Sequence, residues 1–146
     1  MTRTLTIRKA KQEDLHEVFS LLQQSNLPTD GVAEHISHFL IAESKGTIAG
    51  TIGLEPYPPA ALVRSAAVLP EFRNLGIGTM LFNTLVTVAT ENRLNELYLF
   101  TNTAESYFQR KGFAPVQREA VQGEITSSVE FKIHTCASAT LMKLPL

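Results

Sequence analysis

Polar and apolar residues alternate along Thr4-Leu5-Thr6-Ile7-Arg8, which predicts a strand. The period then changes. After Glu13 and Asp14, the residues Leu15, Val18, Phe19 and Leu22 recur on one helical face. Asn26-Leu27-Pro28 ends that helix, and 30–38 reads as a short second one. Residues 39–42 and 47–54 predict two strands joined by a tight turn at Lys45-Gly46. Tyr57-Pro58-Pro59 predicts a loop, because proline lacks the N–H that a strand ladder needs. Residues 61–68 are almost continuously small or apolar, the pattern of a central strand covered on both faces. A helix is expected from Gly76 to about Glu91, with Ile77, Met80, Leu81, Leu85 and Val88 as its apolar stripe. A buried strand at 97–100, a helix at 104–111 stopped by Gly112, a short strand at 113–116 and a final antiparallel strand at 138–144 follow. Residues 117–135 obey neither period. The whole predicts an α/β domain of three layers, a mixed sheet with helices on both faces.

Composition narrows the function. A chain of 146 residues, 44% hydrophobic and 18% charged, fits one globular domain spanning 1–146. Its net charge of -1 gives no basic footprint for nucleic acid and no polybasic signal for a membrane. One cysteine, Cys136, rules out an internal disulfide framework or a cysteine-based zinc cage, and no metal is expected. The first ten residues lack an apolar signal core, and no run reaches transmembrane length, so the expected compartment is the cytoplasm.

The stretch PEFRNLGIGTMLF places two of the eight glycines at the mouth of a helix, with an arginine upstream. First-turn N–H groups have no intrahelical partner and carry the positive end of the helix dipole. Glycines let an anion approach that backbone, and Arg73 adds a charge-assisted hydrogen bond. The bland alternative is a tight turn whose glycines only relieve strain. A Walker-type loop would need Lys-Ser/Thr after the second glycine, where Thr79 and Met80 stand. A dinucleotide fingerprint would need glycine where Leu81 stands.

Arg73-Asn74-Leu75-Gly76-Ile77-Gly78 resembles the R/Q-x-x-G-x-G/A loop of the GNAT superfamily of N-acetyltransferases, which cradles the diphosphate of acetyl-CoA. The segment 66–73 is similar to that superfamily's fourth strand running into its loop, and Asn102-Thr103-Ala104 with Gly112-Phe113 resembles its later pantetheine segment. The resemblance extends over nearly the whole chain. It implies a mostly antiparallel sheet flanked by helices, acetyl-CoA as donor, no metal, and a small-molecule amine as partner. A homodimer stays open. A narrower likeness, to the arsenic-resistance N-acetyltransferase branch, lies in Gly53-Leu54-Glu55, Leu62-Val63-Arg64-Ser65, Ser128-Val129-Glu130-Phe131, Cys136-Ala137-Ser138-Ala139 and the ending Met142-Lys143-Leu144-Pro145-Leu146. Relatives in that branch acetylate amino-acid antibiotics such as arsinothricin and phosphinothricin.

Carried over residue by residue, the resemblance gives Arg73, Asn74, Leu75, Gly76, Ile77, Gly78 and Thr79 to the diphosphate. The backbone of Ala66, Ala67 and Val68 goes to the pantetheine and acetyl carbonyl, on a fourth strand that parts from the fifth after Val68. Asn102 and Phe108 flank the cofactor arm. Many relatives carry tyrosine four residues before the Gly-Phe pair. Phe108 occupies that place here, and one step on a helix turns a side chain by about 100°, so Tyr107 cannot inherit the role. Thiolate departure then needs another proton source or none. Glu55 is the candidate base, acting on the amine through a water, against the alternative of a solvated glutamate at a loop edge. Arg64 is costly in an uncharged strand unless partnered, either by Glu55 or by an anionic group of the acceptor. Glu130 and Cys136 are further acceptor-side candidates.

The expected function is therefore acetyl transfer to a small, amino-acid-like toxin or antibiotic. A protein or peptide N-acetyltransferase ranks second, because no acidic tract is present to receive a basic peptide. A non-catalytic CoA-binding regulatory module is the alternative from another class.

Overall fold

The computed structural model describes residues 5–133 and 139–146. Seven strands form one sheet in the order β1-β2-β3-β4-β5-β7-β6: β1 Thr6–Lys9, β2 Phe39–Ser44, β3 Thr47–Tyr57, β4 Ala60–Val68, β5 Glu96–Thr101, β6 Ala114–Pro115 and β7 Thr140–Pro145. The flanking helices are α1 Leu15–Gln24, α2 Val32–His35, α3 Ile77–Glu91, α4 Glu105–Arg110 and α5 Val129–Ile133. This is the mixed, mostly antiparallel architecture that the pattern and the resemblance imply. The parallel pair is β4 with β5, and β7 runs antiparallel to β5.

The chain divides into two compact units, Met1–Leu54 with Arg64–Val88 and Glu55–Val63 with Ala89–Leu146, so β3 and β4 each contribute to both. In the first unit, α1 buries Val18, Leu21 and Leu22 with Val32, Phe39, Ile41 and Ala67. Phe39 pairs across the strands with Gly53, and its ring fills the space where any side chain at 53 would go. In the second unit, Leu62, Tyr98 and Leu141 pack with Val121, Ile125 and Phe131, which ties the aperiodic 117–133 region to β4, β5 and β7. That region consists of two short 3-10 turns, Arg118–Ala120 and Glu124–Ser127, followed by α5. Each is too short to show a period in sequence.

Two expectations need correction. β3 does not stop at Leu54 but continues through Glu55, Pro56 and Tyr57. A proline is tolerated there because the ladder with β2 has already ended at Gly53. The described ladder between β4 and β5 ends at Leu62 opposite Tyr98, rather than at Val68. Further along β4, Ser65 has φ 60, a left-handed conformation that interrupts the pleat.

Candidate active site

The loop between β4 and α3 has a distinctive backbone. A 3-10 turn, Pro70–Phe72, ends at an extended Arg73, after which Asn74 (φ 65) and Gly76 (φ 80) are both left-handed. Left-handed residues are a recurring component of the backbone concavities that bind anions in proteins. Nothing lies within 4 Å of where a Cβ on Gly76 would stand, so glycine is required there by conformation and by access, not by crowding. Arg73 to Gly76 are exposed, whereas Ile77 is buried and anchors the first turn of α3. Gly78 and Thr79 are half-buried in that turn. The Arg73 Nε–H donates to the Val68 carbonyl at 3.1 Å, which ties the loop back to the strand that leads into it.

On β4, Ala66 is exposed, Ala67 is buried and Val68 is half-buried. Gly50 on β3 lets Ala67 come close, since a Cβ at 50 would meet the Ala67 carbonyl oxygen at 2.9 Å. Just upstream, Arg64 is only 5% exposed. Its guanidinium donates to the carbonyls of Asp30 (2.6 Å) and Pro28 (3.1 Å) and to the Ser65 hydroxyl (3.1 Å). These bonds hold the α1–α2 connection and favour the otherwise costly left-handed backbone at Ser65. These acceptors offset part of the burial expected to be costly.

In the second unit, Glu55 is 1% exposed, so it is not a solvated residue at a loop edge. The Tyr57 hydroxyl donates to its Oε1 at 2.6 Å, a short charge-assisted bond. Phe108 packs edge-to-face on Tyr107 and Phe113, with centroids 5.2 and 5.7 Å away. Tyr107 instead sits beneath the Lys111 ammonium, 5.2 Å from its ring. Asn102 is exposed after β5, where the Thr101 hydroxyl accepts the Ala104 N–H at 3.0 Å. Glu130, on α5, is 5% exposed. Its neighbour Phe131 packs edge-to-face against Phe100 and lies beneath Arg118, which also donates to the Phe131 carbonyl. Cys136 lies outside the described residues. Sequence reading missed Tyr57 and Ser65. The i, i+2 spacing of Glu55 and Tyr57 would have revealed the first if β3 had been extended past Leu54, whereas nothing in a serine announces a positive φ.

Strand order and loop together define an acyltransferase fold. The N-acetylglutamate synthase from Neisseria gonorrhoeae, complexed with coenzyme A and N-acetyl-glutamate, shares it with a TM-score of 0.83 at 19% identity, over 100% of this chain and 36% of that one. Residues 4–113 match the acetyltransferase (GNAT) family, and the chain belongs to that family. An uncharacterised N-acetyltransferase of Chlorobaculum tepidum is 35% identical over 91 residues, covering 62% of this chain and 58% of its own. An amino-acid acetyltransferase of Aliivibrio fischeri is 24% identical over 127 residues, 80% of this chain. The chain spans only 28% of that relative's length.

Proposed function

We propose that this chain transfers the acetyl group of acetyl-CoA directly to the amine of a small, amino-acid-like acceptor. The loop from Arg73 to Thr79 carries the reading: two left-handed residues, an exposed arginine and the start of α3 together suit a diphosphate. Family membership supports acetyl-CoA as the donor, and the relatives named amino-acid acetyltransferase support the acceptor class. The likeness at 53–55, 62–65 and 128–131 to the arsenic-resistance branch narrows the acceptor to an amino-acid toxin or antibiotic such as phosphinothricin or arsinothricin.

In this reading the amine nitrogen attacks the thioester carbon, backbone N–H groups at 66–68 stabilise the oxyanion, and the C–S bond then breaks. Glu55 takes the amine proton through a water. Phe108 has no proton to give, and the CoA thiol is acidic enough to depart as thiolate. Asn102 and Phe108 flank the pantetheine arm. Arg64, Glu130 and Cys136 act on the acceptor side, Arg64 by ordering 28–30 as well as by its charge.

Free-thiol release from acetyl-CoA, measured over a panel of L-amino acids with phosphinothricin and arsinothricin, tests the proposal. Turnover confined to amino-acid-like amines, with the N-acetyl product confirmed by mass, is the expected result. Tight CoA binding without turnover of any amine would leave a binding module instead, and preference for a basic peptide would overturn the acceptor class.

A further inference from the structure

Glu55, Pro56 and Tyr57 are consecutive on β3, so residues 55 and 57 project from the same face of the strand. The bond between them, 2.6 Å from the Tyr57 hydroxyl to Glu55 Oε1, involves a carboxylate that is 1% exposed. A carboxylate removed from water needs donors that favour its charged form, and a phenol at this distance is a strong one. Pro56 restricts the backbone between the two side chains. The Tyr57 ring also packs against the cluster of Leu62, Tyr98, Ile125 and Phe131, so the donor is itself held in place. These features fix one oxygen of the carboxylate and limit rotation of the whole group.

We infer that Tyr57 is a positioning residue for the Glu55 carboxylate. It holds the group correctly turned while the acceptor amine gives up its proton. The inference rests on the reading of Glu55 as base. No proton passes to or from Tyr57 in the step. The amine proton moves through water to Glu55, and the phenol keeps its own.

A double-mutant cycle on the full chain tests this, using Tyr57→Phe, Glu55→Gln and the pair, with the best amine from the panel. Tyr57→Phe should lower kcat about tenfold with the KM for acetyl-CoA within about twofold, since only the reacting group is disturbed. In the Glu55→Gln background the same change should cost almost nothing, because residues acting as a unit are not additive. Equal losses in both backgrounds would overturn the positioning role and leave Glu55 as base. Wild-type kcat in Glu55→Gln would overturn the base reading and this inference with it. A measurement independent of turnover is the Tyr57 hydroxyl proton in a ring-labelled sample. It should resonate well downfield in the wild type and move upfield in Glu55→Gln, and an unchanged resonance would again overturn the assignment.

Discussion

Single residues in this chain carry charge where burial makes their partners matter. Arg8 meets Asp14 through two bonds, Nη1–Oδ2 at 2.8 Å and Nη2–Oδ1 at 3.0 Å, and also reaches Glu43. The Arg8 hydrogen bonds, reinforced by the Lys11 N–H, hold the Asp14 carboxyl below the ordinary range. The unfolded carboxyl takes its proton near ~3.9, so the native state binds that proton less readily. Asp14 therefore contributes stability above that pH and loses it as pH falls through the lowered native value. Asp14→Asn should lower the melting temperature at neutral pH, and its gap to wild type should close as pH drops below about 4, followed by thermal melts across pH. Gly76→Ala isolates a backbone effect. A Cβ at 76 meets nothing within 4 Å, so the cost is the left-handed conformation itself, about 1 kcal/mol, readable in chemical denaturation. CoA affinity should fall with it in calorimetry. Residue types such as Arg64 and Glu55 could be singled out in sequence because a charge stands among apolar neighbours. The backbone partners of Arg64 could not, since Pro28 and Asp30 lie far along the chain and offer carbonyls that every residue has.

Elements were legible in proportion to their length. α3 and β7 cover enough residues for a period to declare itself, and both elements stand where the pattern puts them, although α3 buries Ile77, Leu81, Phe82, Leu85 and Ala89 and leaves the expected Met80 exposed. β3 was cut short at Leu54, ahead of the loop expected at Tyr57-Pro58-Pro59, whereas it runs on to Tyr57. α2 covers only Val32–His35, with a 3-10 turn completing the rest of the expected helix. At 117–133 the structure depends on packing of Val121, Ile125 and Phe131, which no local pattern announces. The connection between α1 and α2 shows what such tertiary ties are worth. Arg64→Ala removes three hydrogen bonds reaching Pro28, Asp30 and Ser65, and should cost about 2 kcal/mol in denaturant unfolding. Arg64→Lys should recover little, because one ammonium nitrogen cannot span three acceptors. Amide exchange at 28–31 should quicken in both variants.

For the molecule as a whole, fold and family were readable from sequence because one loop and one order of elements recur together. The acceptor was not, since side chains that would choose it are scattered across positions with no fixed spacing. Ligand linkage gives the broadest test. CoA supplied at about a hundred times its dissociation constant stabilises the native state by about 2.7 kcal/mol, a rise of roughly 5–10 °C in melting temperature for a chain of this size. Acetate or acetyl phosphate at equal concentration should produce far less, since neither offers a diphosphate with an extended arm.

The left-handed backbone at Asn74 and Gly76 has a consequence for assays. Peptide N–H groups and an arginine do not titrate between about pH 6 and 9, whereas an α-amino group does. Holding the donor and using it should therefore separate on a pH axis, with the grip on the diphosphate flat where the rate is steep. In the proposed reading the grip is made by main chain, so a label on Leu75, 55% exposed between the two turning residues, should leave CoA affinity unchanged.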